Sequence, residues 1–154
     1  MMMKEITFTN IALVVETWDA ARFTDKEFEE KFGYKAVKQM FEMEPRTKSV
    51  FGYDKGEDNG NAHMEIHAKA FPRLIDSIIQ MLGPDVEFVE EILGQVGDRH
   101  RAMNVNPSFF PFMGKALLVA LEDSLRRKLT DEEREAWEEV YDEIANVIVK
   151  KILA

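Results

Sequence analysis

Residues 93–121 read LGQVGDRHRAMNVNPSFFPFMGKALLVAL. Leu93, Val96, Gly97, His100 and Met103 recur at spacings of three and four, so they share one stripe of a helix. That helix ends at Asn104-Val105, and Pro107 is placed to open the next one, over Ser108 to Arg127. An imidazole on the inner stripe points into whatever the stripe covers. Two readings of His100 therefore stand side by side: a core histidine bonded to a neighbouring carbonyl, or a ligand to a metal centre in an apolar cavity.

Outward from this stretch the chain reads as helix after helix. Thr7 can cap a first helix with Ile11, Val14, Val15, Trp18 and Ala21 on its inner face. A charged connection, Thr24 to Lys31, precedes a second helix bearing Phe32, Val37, Met40, Phe41 and Met43, which Pro45 breaks or turns. Val50 to Asn61, with Gly52, Gly56, Asn59 and Gly60, reads as a mobile loop that presents Phe51 and Tyr53. A long helix then carries His63, His67, Phe71, Leu74, Ile75 and Ile78 to Leu82 and closes at Gly83-Pro84. Thr130-Asp-Glu-Glu133 has the spacing of a capping box and starts a helix through Trp137, Tyr141, Ile144, Val147 and Ile148. No alternating strand pattern interrupts this. The expectation is one all-α domain over residues 1–154 with about seven helices.

Composition removes several functions. The formal charge is −9, and basic residues cluster only at Arg126-Arg127-Lys128, so neither nucleic acid nor an anionic membrane is an expected partner. The absence of cysteine excludes disulfides, iron–sulfur clusters, thiolate-ligated haem and c-type haem attachment. The opening MMMKEITFTNIALVV soon meets Glu16 and Asp19, and Ala116 to Leu121 is too short to span a bilayer; the expected location is the cytoplasm. Phosphate loops and Gly-x-Ser-x-Gly elbows are missing, and the acidic runs at 87–91 and 132–143 read as solvated helix faces.

The histidines are what remains. His63 and His67 in HMEIH share a helical face, but Glu65 lies one place later than the zincin motif requires, leaving a two-histidine metal site as an alternative. His67 and His100, 33 residues apart, lie on two helices and both on apolar stripes. Phe41, Phe51, Phe71, Met103, Phe109, Phe110 and Phe112 can line the space between them. Taken singly, each aromatic is ordinary core. Together, two inward imidazoles and a surplus of flat apolar surface are what a b-type haem needs.

In order and spacing these landmarks resemble the globin family, single-domain and three-over-three in type, and are similar to neuroglobin and to the haem domain of flavohaemoglobins. Trp18, the FEMEP segment with Pro45, Phe51, His67 with Phe71, GDRHRAMNV, VNPSFFPFMGKALL with Gly114, and Trp137 with Tyr141 carry the resemblance. It implies a globin fold around a haem pocket, with His100 as the proximal iron ligand and His67 as the distal residue or sixth ligand. Phe51 and Phe71 would wall the haem, Val105 and Met103 would contact it, Phe110 would lie on the proximal side, and Val37 would face the distal pocket. Gly33 and Ala68 would meet where two helices cross. Four departures stand out. Val37 and Phe110 occupy places where flavohaemoglobins carry tyrosines, Ile152 replaces their proximal glutamate, and Pro72 interrupts the distal helix, where it is expected to remove a backbone bond and kink the chain.

The resemblance implies a haem b protein that reversibly binds dioxygen, carbon monoxide or nitric oxide at ferrous iron, for storage, transport or sensing. The alternative is a nitric oxide dioxygenase or weak peroxidase on the same haem. The expectation is that no reductase domain follows Ala154, so that a separate reductase would be its partner. A third reading is a haem-free helical module of the same descent that binds a partner.

Overall fold

The apolar stripes become the inner faces of helices laid across one another. In the computed structural model, which describes residues 3–53 and 57–154 without the side chains of 57–60, six α-helices follow in order. They are α1 Phe8–Arg22, α2 Phe28–Met43, α3 Glu57–Met81, α4 Val86–Ala102, α5 Phe110–Leu125 and α6 Asp131–Leu153. Two 3-10 turns, Pro45–Phe51 and Pro107–Phe109, precede α3 and α5. No strand occurs among the described residues. α2 packs on α5 and α3, while α6 packs on α4 and α1. The result is α1, α3 and α4 crossing α2, α5 and α6, three helices over three.

Local chemistry sets the ends. The Thr7 hydroxyl accepts from the Asn10 amide at 3.3 Å. At α6, Thr130 Oγ1 accepts from the Glu133 amide (3.1 Å) and Glu133 Oε1 accepts from the Thr130 amide (2.9 Å), the reciprocal pair expected from the sequence. Arg127 also donates twice to Glu133, at 2.8 and 3.0 Å, which ties the end of α5 to the start of α6. This pairing holds the Glu133 carboxyl down at about 2. The N-terminal segment is fastened to distant helices: the Met3 amide donates to Glu90 (3.0 Å), the Lys4 amide to Glu143 (2.6 Å) and the Asn10 side-chain amide to Glu139 (3.0 Å).

Several boundaries differ from the sequence reading. α2 begins at Phe28, inside the expected charged connection, because Glu29 and Glu30 sit in its first turn, where the helix dipole favours anions. The expected loop Val50–Asn61 is shorter: the 3-10 turn reaches Phe51, and α3 starts at Glu57. Gly52 follows that turn at φ 84, a left-handed conformation that suits glycine. Gly56 lies outside the described residues, and Asn59 and Gly60 fall within the span of α3. Pro107 opens a 3-10 turn and not the α-helix itself. Six α-helices and two 3-10 turns among the described residues thus replace the expected seven helices.

The core is built on two tryptophans. Trp18 stands edge-on to Phe28 and Phe32, each 5.2 Å away, and 6.0 Å from Trp137. The Trp137 indole N–H donates to the Thr17 hydroxyl at 2.6 Å, and the Trp18 indole N–H to Asp76 at 2.9 Å, so neither buried ring strands its polar edge.

Pro72 does not end α3, which runs through it. Its effect falls on Ala68. Proline has no amide hydrogen, so the Ala68 carbonyl lacks its usual helical donor four residues on. That carbonyl lies against Gly33 of α2: a Cβ built at Gly33 would come within 1.7 Å of the Ala68 oxygen. The expected meeting of Gly33 and Ala68 is therefore a backbone-to-backbone contact, and it sets how closely α3 approaches α2.

Candidate functional site

His100 reaches the interior because α4 divides its inner stripe. Leu93, Gly94 and Gly97 are buried, and a Cβ at Gly97 would meet the Lys151 Cβ at 2.5 Å and the Ile148 carbonyl at 3.0 Å, so this side is pressed onto α6. Val96 and His100 are half-buried. The His100 Nδ1–H donates to the Val96 carbonyl at 2.8 Å. A carbonyl oxygen only accepts, so the Nδ1 nitrogen carries the proton and Nε2 of the neutral ring keeps its lone pair.

The end of α4 corrects one expectation. Asn104 adopts φ 57, the Asn104 amide donates to the Arg101 carbonyl (3.0 Å) and the Val105 amide to the His100 carbonyl (3.1 Å). This is a Schellman closure with asparagine at the left-handed position. It folds Val105 back, 6% exposed, and leaves the capping residue Met103 57% exposed. Met103 thus leaves the stripe that its spacing predicts, and it does not line the interior with His100.

His67 projects from α3 between two rings. Phe51 stands perpendicular to it at 5.3 Å, and Phe71 stacks within 13° of parallel at 6.2 Å. Phe71 stacks in turn on Phe32 at 6.2 Å, so Pro72 does not displace it from the site. Facing His67, at 6.4 Å between centroids and 88° between planes, is His100, which touches Phe110 at 5.4 Å. Phe51 is 7% exposed, and Val37 is fully buried on α2. The structure thus brings His67, His100, Phe51, Phe71 and Phe110 into one connected cluster of rings, with His67 at its branch point.

Both imidazoles are held neutral. Burial, reinforced by the nearby His100, pushes His67 down to about 4. Burial also lowers His100, opposed by its bond to the Val96 carbonyl and aided by Arg99. The Nδ1 of His67 is enclosed without a hydrogen-bond partner, which is costly unless something else uses the ring. Two neutral imidazoles 6.4 Å apart, one of them with a buried nitrogen that has no partner, are a donor set that could hold a metal-bearing group. A metal centre in a flat, aromatic-walled group suits these residues.

His63 does not join His67 in a metal pair. It is exposed, and its Nδ1–H donates to the Phe51 carbonyl at 3.1 Å. Among the described residues no group of three or more His, Cys, Asp or Glu could hold a metal ion. Sequence reasoning missed the bond to Phe51, because its acceptor is a backbone atom that leaves no mark in residue type.

The fold is thus a three-over-three helical sandwich in which two neutral imidazoles face each other at 6.4 Å among aromatic rings. The family model described as Globin matches residues 34–148. The chain belongs to the globin family. It is 30% identical over 115 residues to a flavohemoprotein of Oceanobacillus iheyensis, a match covering 73% of this chain and 26% of that protein, so it spans about a quarter of that relative's length. It is 29% identical over 147 residues, 94% of both chains, to a protein of Oryza sativa subsp. japonica named an anaerobic nitrite reductase. Neuroglobin of Danio rerio is 26% identical over 117 residues, 73% of each chain. Among solved structures, a hexacoordinated haem protein from an anhydrobiotic tardigrade superposes with a TM-score of 0.80 at 19% identity, covering 97% of this chain and 96% of that one. The fold is the all-α globin fold, and family membership implies haem. Among the described residues no helix is long and apolar enough to cross a membrane.

Proposed function

We propose that this chain is a single-domain, cytoplasmic haem b protein that reversibly binds a diatomic gas (dioxygen, carbon monoxide or nitric oxide), with His67 as a competing internal ligand. The observation that carries the reading is the pair of neutral imidazoles 6.4 Å apart. Haem bound there supplies a ferrous iron with one ligand position for a gas. His100 would hold the iron through Nε2, while its Nδ1–H bond to the Val96 carbonyl fixes the ring and would raise its basicity. His67 either takes the remaining position or turns its N–H toward the gas, where a donor in a dry pocket is strongest. Phe51 and Phe71, which flank His67, would keep water from it, and the buried Val37 and Val105 are proposed to complete the walls. Where His67 occupied the iron, a gas would have to displace it, and its apparent affinity would be lowered to the fraction of chains in which His67 is free. The test is an absorption spectrum of the protein oxidised, then reduced under argon, then exposed to carbon monoxide. Two sharp visible bands on reduction, replaced under carbon monoxide, are expected. A single broad band would mean that His67 stands off the iron, and no Soret band after addition of haem would sink the reading. His100→Ala should lose stable haem.

A second reading, catalysis on the same haem with an external reductase, is favoured by the full-length similarity to the rice protein named a nitrite reductase. Against specialisation as a nitric oxide dioxygenase, the ring beside His100 is Phe110, which has no hydroxyl to join a proximal network. Turnover with a reductant and either nitrite or nitric oxide discriminates: failure to consume nitrite or to sustain nitrate production removes the enzyme reading.

A further inference from the structure

His63 has no part in the reading above, yet it is tied to the site. Its Nδ1–H donates to the Phe51 carbonyl at 3.1 Å, and the ring of Phe51 stands perpendicular to His67 at 5.3 Å. Phe51 ends the 3-10 turn and is backed by Phe41 at 5.3 Å. Gly52 then reverses the chain at φ 84, so the carbonyl that His63 holds is the last fixed point of that turn. A second bond, from the Tyr53 hydroxyl to the Asn61 side-chain oxygen at 2.9 Å, fastens the same stretch to the same helix. His63 precedes His67 by one helical turn, which puts both on one side of α3. The acceptor fixes the tautomer: the proton of a neutral His63 must sit on Nδ1, the less common place for it in a free imidazole.

We propose that His63 is a positioning residue: by holding the Phe51 carbonyl it fixes the Phe51 ring, and through that ring the inward orientation of His67 toward His100. Its effect on ligand binding rests on the haem reading; the tether itself does not. Without the tether, Phe51 and the turn behind it relax, the inward orientation of His67 is less favoured, and an external ligand competes with it more easily. His63 is exposed, so its removal leaves the core intact.

The test uses the full chain and two variants, His63→Leu and His63→Asn, the latter placing an amide N–H where the imidazole Nδ1–H was. Carbon monoxide association with the ferrous protein is timed, thermal midpoints are measured in parallel, and long-range proton–nitrogen NMR of the imidazoles gives the tautomers. The expected results are Nδ1–H at residue 63, about fivefold faster association in His63→Leu from the loss of one hydrogen bond of ordinary strength, and a rate within about twofold of the parent in His63→Asn. Nε2–H at residue 63, an unchanged rate in His63→Leu, or equal acceleration in both variants would each overturn the proposal. A chain that takes up no haem would refute the functional reading instead, and the tautomer at residue 63 would then decide the tether by itself.

Discussion

Replacing Gly33 by alanine would build a methyl carbon 1.7 Å from the Ala68 oxygen and 2.7 Å from its carbonyl carbon. Ordinary carbon–oxygen contact is about 3.3 Å, so α2 and α3 must separate locally by roughly 1.6 Å. The obstacle is backbone and cannot rotate away. On α3 it is flanked by His67 and backed by Pro72, which leaves the carbonyl no helical bond to return to. Alanine would gain up to about 1 kcal/mol from helix propensity, but overpacking a tight interface costs about 1–3 kcal/mol or more. The upper end applies here, giving a net loss of about 2 kcal/mol. For a domain of this size that corresponds to a fall of roughly 4–8 °C in thermal midpoint. The assay is thermal unfolding by circular dichroism, with the visible spectrum of the haem-loaded protein read alongside, since a shifted Ala68 carries His67 with it. Gly83→Ala is the matched control, because a Cβ there meets nothing within 4 Å. If Gly33→Ala melts within about 1 °C of Gly83→Ala and keeps the parent spectrum, the close crossing does not set the distal helix.

Acid should act through His67. Its folded value of about 4 lies below the ordinary 6.5, so as pH falls from 6.5 to 4 the unfolded chain gains a proton that the folded haem-free chain refuses. Stability then declines, by up to about 3 kcal/mol at pH 4, with His100 adding in the same direction. Urea titrations across this window should show a shallower slope in His67→Leu; an identical slope would refute the assignment. Trp137→Phe removes the bond to Thr17 and part of the ring, at a cost of about 1–3 kcal/mol by denaturant unfolding. Thr130→Ala deletes one half of the capping box and should lower stability by about 1 kcal/mol in the same assay, leaving the visible spectrum unchanged.

The helices and the histidine pair were legible because both rest on periodicity. His67 and His100 fall on apolar stripes whose spacing alone predicts that they face inward, and Thr130 to Glu133 announces its capping box by residue type. Three features were not legible, each for a physical reason. The start of α2 hides under charges that stabilise a first turn as readily as they solvate a loop. Met103 keeps the spacing of the stripe, but the left-handed Asn104 turns the chain away one residue later. Pro72 reads as a break, whereas its consequence lies on another residue's carbonyl and another helix's glycine. Contacts made by backbone atoms leave little trace in a one-letter string.

The fastening of the N-terminal segment bears on how the chain is made. Lys4 bonds a residue 139 positions later, and the Trp137 indole bonds a residue 120 positions earlier. At about 5–20 residues per second of synthesis, the opening residues wait roughly 7–28 s for their partners to be translated. During that interval the face of α1 bearing Trp18 has no α6, and no Trp137, to cover it. The nascent chain therefore passes through a stage at which the Trp18 face of α1 is open to chaperones, and closure comes only when α6 has left the ribosome.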